Sequence, residues 1–261
     1  MTILGVNGIE DTTLGGTRYM LYTDFMYVQD GAPQQDLDVY LPNGVAPEGG
    51  WPLVVYAHGG GFVEGDKQIN RAGDSYALLA LDNGFALASI NYRMPEGIGP
   101  GRLTPEQLAT ELADVQAAVR WLVAHADELG INPDQLAFYG PSAGGALLAA
   151  AAIRANDEGQ PQPMGMISVA SATHVTNAAA YLDGEDPPFY VIHGTADSIV
   201  SFAHAEAFVE ALQTAGVPCV FEAVEGGEHT RPNDHPNTMT LLEEQGKIND
   251  AYDWLKGLLA E

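Results

Sequence analysis

Cysteine is almost missing from this chain of 261 residues, where Cys219 stands alone. An intrachain disulfide is therefore excluded. In the apolar stretch VPCVFEA, Cys219 is expected to pack as a small hydrophobe. Basic residues are also scarce. Lys and Arg total 10 against 35 Asp and Glu, only three of the ten are Lys, and the net charge is −25. Nucleic acid is not expected as a partner, because phosphate binding relies on Lys and Arg to displace counterions. Anionic membranes are disfavoured for the same reason. The acidic excess fits either plain solubility or adaptation to high salt, where self-repulsion is screened. No apolar run reaches the roughly 18 residues a membrane span requires. The opening MTILGVNGIEDTTLGG lacks the basic region and apolar core of a signal peptide, so a soluble protein is expected, cytoplasmic or secreted and trimmed.

Hydrophobic residues make up 46% of the chain, enough to bury a sizeable core. Strand-like runs fall near 19–28, 35–41, 52–57, 85–91, 135–139, 165–170, 188–193 and 218–224. Several, such as PLVVYAH and FALASINY, are apolar on both faces, as strands covered on both sides are. Helical stretches fall near 69–82, 105–129, 143–155, 202–215 and 238–259. In the longest, Leu108, Leu112, Val115, Val119 and Leu122 recur at helical spacing. Thr104 is its expected N-cap, with Pro105 and Gln107 following, and Gly130 its expected end. Strands alternating with helices predict a mainly parallel sheet covered on both faces. The first two strands, with no helix between them, predict an antiparallel edge. The chain reads as one domain, 1–261, with residues 1–18 as an N-terminal extension.

Ligands of such sheets meet the carboxyl ends of the strands. At one such end stands GPSAGG, with Ser142 between a strand and an alanine-rich helix. The small neighbours allow a sharp reversal that exposes the hydroxyl, and the Ala143 N–H points toward an oxyanion site. The alternative is a serine that only caps the helix. YAHGGGFVEGDK follows the strand ending at Ala57. Three consecutive glycines are costly unless backbone must come close, so Gly60 and Gly61 are candidate oxyanion donors beside Ala143. His58 is expected to orient that loop, and a plain glycine turn is the alternative. The phosphate-binding pattern Gly-x-x-x-x-Gly-Lys-Ser/Thr is absent.

A serine nucleophile needs a base, and the chain has seven histidines. His229, in EGGEHT after the last strand, lies at a carboxyl end, and His235 is the runner-up. His125 and His204 fall in helices, His193 ends a buried strand, and His174 is in a loop. Asp197, in HGTADSIV, follows the preceding strand and suits the partner that orients the imidazole. The order Ser142, Asp197, His229 is the order of this elbow architecture. Glu228, His229, Asp234 and His235 could be mistaken for metal ligands, but two prolines break any regular spacing. No metal and no organic cofactor are expected.

HGGGF, NYR at 91–93, GPSAGG, HGTADSIV and GGEH together resemble the α/β-hydrolase esterases of the hormone-sensitive-lipase-like and acetyl-xylan/feruloyl-esterase-like groups, over about residues 35–260. The resemblance implies an α/β-hydrolase fold with an eight-stranded, mainly parallel sheet and little or no cap. It also implies carboxylester hydrolysis with Ser142 as nucleophile, His229 as base, Asp197 as its partner and Gly60, Gly61 and Ala143 as oxyanion hole. Pro141 departs from many relatives at the elbow. The absence of a helical cap favours short acyl esters, acetyl first, on small-molecule, carbohydrate or hydroxycinnamate substrates. Phe62 and Tyr92 are candidate substrate contacts, with Tyr27, Met94 and Phe202 weighed beside them. Rival readings are a serine peptidase of prolyl-oligopeptidase type and a non-catalytic binding protein on the same scaffold.

Overall fold

A computed structural model describes residues 8–13, 15–69, 74–99, 102–229 and 236–260. Nine strands form one sheet: β1 (Ile9–Thr12), β2 (Arg18–Met26), β3 (Asp36–Pro42), β4 (Trp51–Ala57), β5 (Ala86–Ile90), β6 (Ile131–Pro141), β7 (Gly165–Val169), β8 (Phe189–Gly194) and β9 (Cys219–Val224). Their order is β1-β2-β3-β5-β4-β6-β7-β8-β9. From β5 to β9 the sheet is parallel, and β1, β2 and β3 add an antiparallel flank that ends on β5.

The expected eight strands are therefore nine. The extra one, β1, lies within the stretch read as an N-terminal extension. All four of its residues are exposed, so no apolar alternation marks it, and it is held by the ladder to β2 and an Arg18–Glu10 ion pair. The antiparallel edge is also wider than expected, because β3 pairs with β5 as well as β2.

Among the described residues the helices are α1 (Leu79–Asp82), α2 (Pro105–Ala124), α3 (Ala126–Leu129), α4 (Ser142–Ile153), α5 (Ala155–Glu158), α6 (Thr173–Thr176), α7 (Phe202–Ala215), α8 (Thr238–Glu244) and α9 (Asp250–Leu258). Thr104 caps α2 in a reciprocal capping box with Gln107, and Pro105 takes the first position. The predicted single helix breaks at His125, whose Nδ1 lies 2.7 Å from the Trp121 carbonyl oxygen. Gly130, at φ +70°, then ends α3.

The alternation of β4 sorts the core. Leu53, Val55 and Ala57 face a cluster with Leu112, Val115 and Leu147, whereas Val54 and Tyr56 face one with Phe85, Ile192 and Leu255. Every residue of β5, β7 and β8 is buried, so these strands carry the continuous apolar pattern of a sheet covered on both sides. Between β7 and β8 the chain makes only α6 and a short 3₁₀ turn, Ala178–Tyr181. This fits the expectation of little or no cap.

Candidate active site

The elbow forms where β6 ends at Pro141 and α4 begins at Ser142. Ser142 adopts φ +50°, a left-handed conformation uncommon outside glycine. The surrounding glycines are steric requirements. A Cβ on Gly140 would stand 2.7 Å from the Gly145 nitrogen, and one on Gly144 would stand 2.1 Å from the Ala57 carbonyl oxygen. The capping alternative does not describe this serine: Pro141 holds the N-cap position, and no side chain caps the helix. The first-turn N–H groups of α4, Ala143 among them, therefore lack an intrahelical acceptor.

The Ser142 hydroxyl lies 3.1 Å from His229 Nε2. His229 Nδ1 lies 2.7 Å from Asp197 Oδ2. The other carboxylate oxygen accepts the N–H groups of Ile199 (2.9 Å) and Val200 (2.8 Å). Burial opposes the Asp197 charge. The hydrogen bond and charge of His229, with the backbone donors, outweigh it and hold the carboxyl below its usual range. Asp197 and His229 are both buried.

The loops carrying the pair are fastened to each other. A Cβ on Gly194 would stand 2.0 Å from the Gly227 carbonyl oxygen, so the chains pass there in backbone contact. Glu228 accepts the N–H and hydroxyl of Ser198 through Oε2, at 3.1 and 2.9 Å. The Glu228 carbonyl oxygen in turn accepts the Thr238 hydroxyl at 2.7 Å. Glu228 and Thr238 are supports the sequence reading missed, since an acid beside a histidine carries no sign of which loop it ties.

The glycine loop follows β4. Gly59 lies beside the serine, where a Cβ would stand 3.4 Å from the Ser142 Cβ. Gly60 and Gly61 follow at φ +120° and +61°. A Cβ on Gly60 would overlap the Glu64 carbonyl oxygen at 1.7 Å, and the Gly60 carbonyl accepts the N–H groups of Val63 and Glu64. His58 is buried, with Nδ1 2.8 Å from the Gly59 carbonyl oxygen and its ring stacked on Tyr92 at 4.5 Å.

The NYR motif underpins this loop. Asn91 Oδ1 accepts the Lys67 N–H, the Tyr92 hydroxyl donates to the His58 carbonyl, and Arg93 grips Asp114 through two side-chain nitrogens. Lys67, 4% exposed, closes the loop with its ammonium 2.7 Å from Asp24, 2.6 Å from Asp38 and 3.3 Å from Asp36. Burial opposes that charge, but the Asp24 and Asp38 carboxylates overcome it and raise the Lys67 pKa.

Two candidate substrate contacts need correction. Tyr92 is wholly buried and its hydroxyl is consumed by His58. Phe62 is 3% exposed and packs in the core. Both are aromatic residues next to reactive motifs; Tyr92 is bonded to the glycine loop, and Phe62 lies in that loop and is buried in the core. Tyr27 is likewise core, its hydroxyl on the Asn91 carbonyl. Met94 is a half-buried residue against the core, and Phe202 stacks on Phe221. His125 stacks on Trp121, and His174 and His204 stack on each other. His235 and Asp234 lie outside the described residues. Among the described residues, no group of three or more His, Cys, Asp or Glu could hold a metal, and no helix is long and apolar enough to cross a membrane.

The BD-FAE family profile matches residues 37–176, and that of the prolyl oligopeptidase family matches 153–259. The chain is 26% identical over 241 residues to the "Probable carboxylic ester hydrolase LipM" of Mycobacterium tuberculosis, covering 74% of this chain and 52% of that protein. It is 27% identical to "Esterase LipC" of the same organism, covering 75% and 56%. The chain thus spans about half the length of these curated relatives. Among solved structures it resembles a truncated carbohydrate esterase from gut microbiota, with a TM-score of 0.73 at 19% identity over 92% of this chain and 96% of that one. A propionate-bound esterase from Thermogutta terrifontis aligns with a TM-score of 0.71 at 22% identity over 90% and 93%. These structural likenesses establish an α/β-hydrolase fold.

Proposed function

The chain belongs to the BD-FAE family, and on that premise we propose that it is a serine carboxylesterase hydrolysing short-chain acyl esters through an acyl-enzyme. The observation that carries the reading is the continuous proton route from Ser142 Oγ through His229 to Asp197, at 3.1 and 2.7 Å. Ser142 attacks the ester carbonyl carbon while its proton passes to His229 Nε2. Asp197 stabilises the imidazolium through Nδ1–H. N–H groups of Gly60, Gly61 and Ala143 receive the negative oxygen of the tetrahedral intermediate. His229 returns the proton to the departing alcohol, leaving the acyl group on Ser142. Water, deprotonated by His229, then releases the acid.

Acetyl esters are the favoured substrates, on carbohydrate or hydroxycinnamate scaffolds. Only short turns separate β7 from β8, which leaves little lining for a long acyl chain. A carbohydrate esterase and a propionate-bound esterase share the fold, and the same substrate class is proposed here. A fluorophosphonate probe is expected to label Ser142. A panel of p-nitrophenyl esters, acetylated xylan and methyl ferulate is expected to favour acetyl groups. An unlabelled Ser142 would defeat the reading.

The prolyl oligopeptidase match over 153–259 supports a second reading, peptide hydrolysis by the same residues. Aminoacyl p-nitroanilides turned over faster than acyl esters would favour it.

A further inference from the structure

Asp197 has a second imidazole beside it. His193, in β8, is 1% exposed. Its Nε2 lies 2.8 Å from the Val200 carbonyl oxygen and 3.4 Å from Asp197 Oδ2. A carbonyl oxygen only accepts, so this nitrogen carries the proton and donates. Oδ2 thus bonds His229 at 2.7 Å with the His193 imidazole 3.4 Å away, its own hydrogen bond spent on Val200, while Oδ1 faces two backbone donors. The Val200 bond also ties the end of β8 to the far end of the loop that presents Asp197.

Resting on the serine-esterase reading, we infer that His193 is a positioning residue for Asp197 and His229: its Nε2–H holds the Asp197 loop closed through Val200, and its ring walls the carboxylate beside the His229 bond. Neutrality is part of the device. Burial lowers the His193 pKa against the opposing pull of the Val200 carbonyl and the Asp197 charge, with His229 and His204 adding to the lowering. A neutral ring donates a hydrogen bond without claiming the carboxylate's charge. A cationic ring there would compete with His229 for that charge. The Phe202 ring, edge-on at 6.0 Å, packs beside the imidazole.

The test uses the full chain. His193→Phe keeps an aromatic ring and removes the donor, and His193→Gln keeps an N–H. p-Nitrophenyl acetate kinetics and NMR of the imidazole protons are measured on wild type and both variants. In His193→Phe, kcat is expected to fall about tenfold or more, as losses of groups that orient a reactive side chain do, with KM nearly unchanged. His193→Gln is expected to recover most of the loss. The downfield proton between His229 and Asp197 is expected to shift in His193→Phe. An active, labelled wild type beside an equally active His193→Phe overturns this inference alone. A wild type that turns over no ester and leaves Ser142 unlabelled defeats the serine reading and this inference together. If His193→Phe does not fold, the wild-type spectrum decides. A neutral, Nε2-protonated His193 across about pH 5–8 supports the inference, and a cationic or Nδ1-protonated ring overturns it.

Discussion

Asp197 gives one carboxylate oxygen to the backbone and keeps the other 2.7 Å from His229 Nδ1. The backbone donors fix the carboxylate, so the imidazole is held as the Nδ1–H tautomer with Nε2 open to Ser142. Asp197→Asn keeps the shape but can offer an N–H to Nδ1, which turns the proton to Nε2. The expected outcome is a folded protein whose kcat for p-nitrophenyl acetate drops by about 10⁴-fold. Steady-state kinetics with a circular dichroism control checks it, and unchanged kcat would remove Asp197 from the proton route.

Gly60 has no room for a side chain. A Cβ there would overlap the Glu64 carbonyl oxygen at 1.7 Å, and the φ of +120° is strained for any other residue. Gly60→Ala must move the loop backbone, including the donors proposed for the oxyanion. Loss of one such donor costs about 10²–10³ in rate, so kcat is expected to fall by at least that much. The control Gly257→Ala has nothing within 4 Å of the new Cβ and is expected to leave kcat unchanged.

Glu111 lies wholly buried on α2, and neither carboxyl oxygen has a hydrogen-bond partner among the described residues. Burial first, then the Asp114 charge, pushes its pKa from 4.5 up to about 8. The folded state therefore keeps this proton where the unfolded chain has released it. Stability from this group is lost as pH rises from the ordinary carboxylate range, and the loss levels off above about 8. Glu111→Gln removes that dependence. Melting curves are expected to show the variant more stable than wild type by at least about 1 kcal/mol at about pH 9, with a smaller gap at about pH 5. A gap independent of pH would contradict this.

Ser142 holds its positive φ at the start of α4. Ordinary helix positions lose about 0.5–1 kcal/mol when alanine becomes glycine. At position 142 the sign is expected to reverse, so that Ser142→Gly melts at or above the temperature of Ser142→Ala, with both inactive. A glycine variant less stable than the alanine variant would show that the turn carries no strain.

Local chemistry made the elbow legible. Gly140, Ser142 and Gly144 stand where a buried strand meets a helix, and only small residues fit the backbone contacts found there. The pairing of Asp197 with His229 was readable from chain order, because the two follow the carboxyl ends of the neighbouring parallel strands β8 and β9. Other features depend on distant chain. Nothing in the sequence marks Lys67 and Glu111 as buried charges, yet the fold encloses both, one with three carboxylates around it and one with no hydrogen-bond partner among the described residues. Tyr92 and Phe62 could have been pocket or core, since aromatic residues serve either. Strand β1 left no signal, because four exposed residues held only at an edge have no buried face to alternate.

Every step of the proposed hydrolysis depends on Ser142 as nucleophile. Purified wild type and Ser142→Ala, matched for melting temperature, are to be compared for p-nitrophenyl acetate hydrolysis. The alanine variant is expected to lose at least about 10³-fold in kcat while remaining folded. A folded Ser142→Ala that retains wild-type turnover would contradict the account, because the hydroxyl 3.1 Å from His229 Nε2 would then take no part in the chemistry.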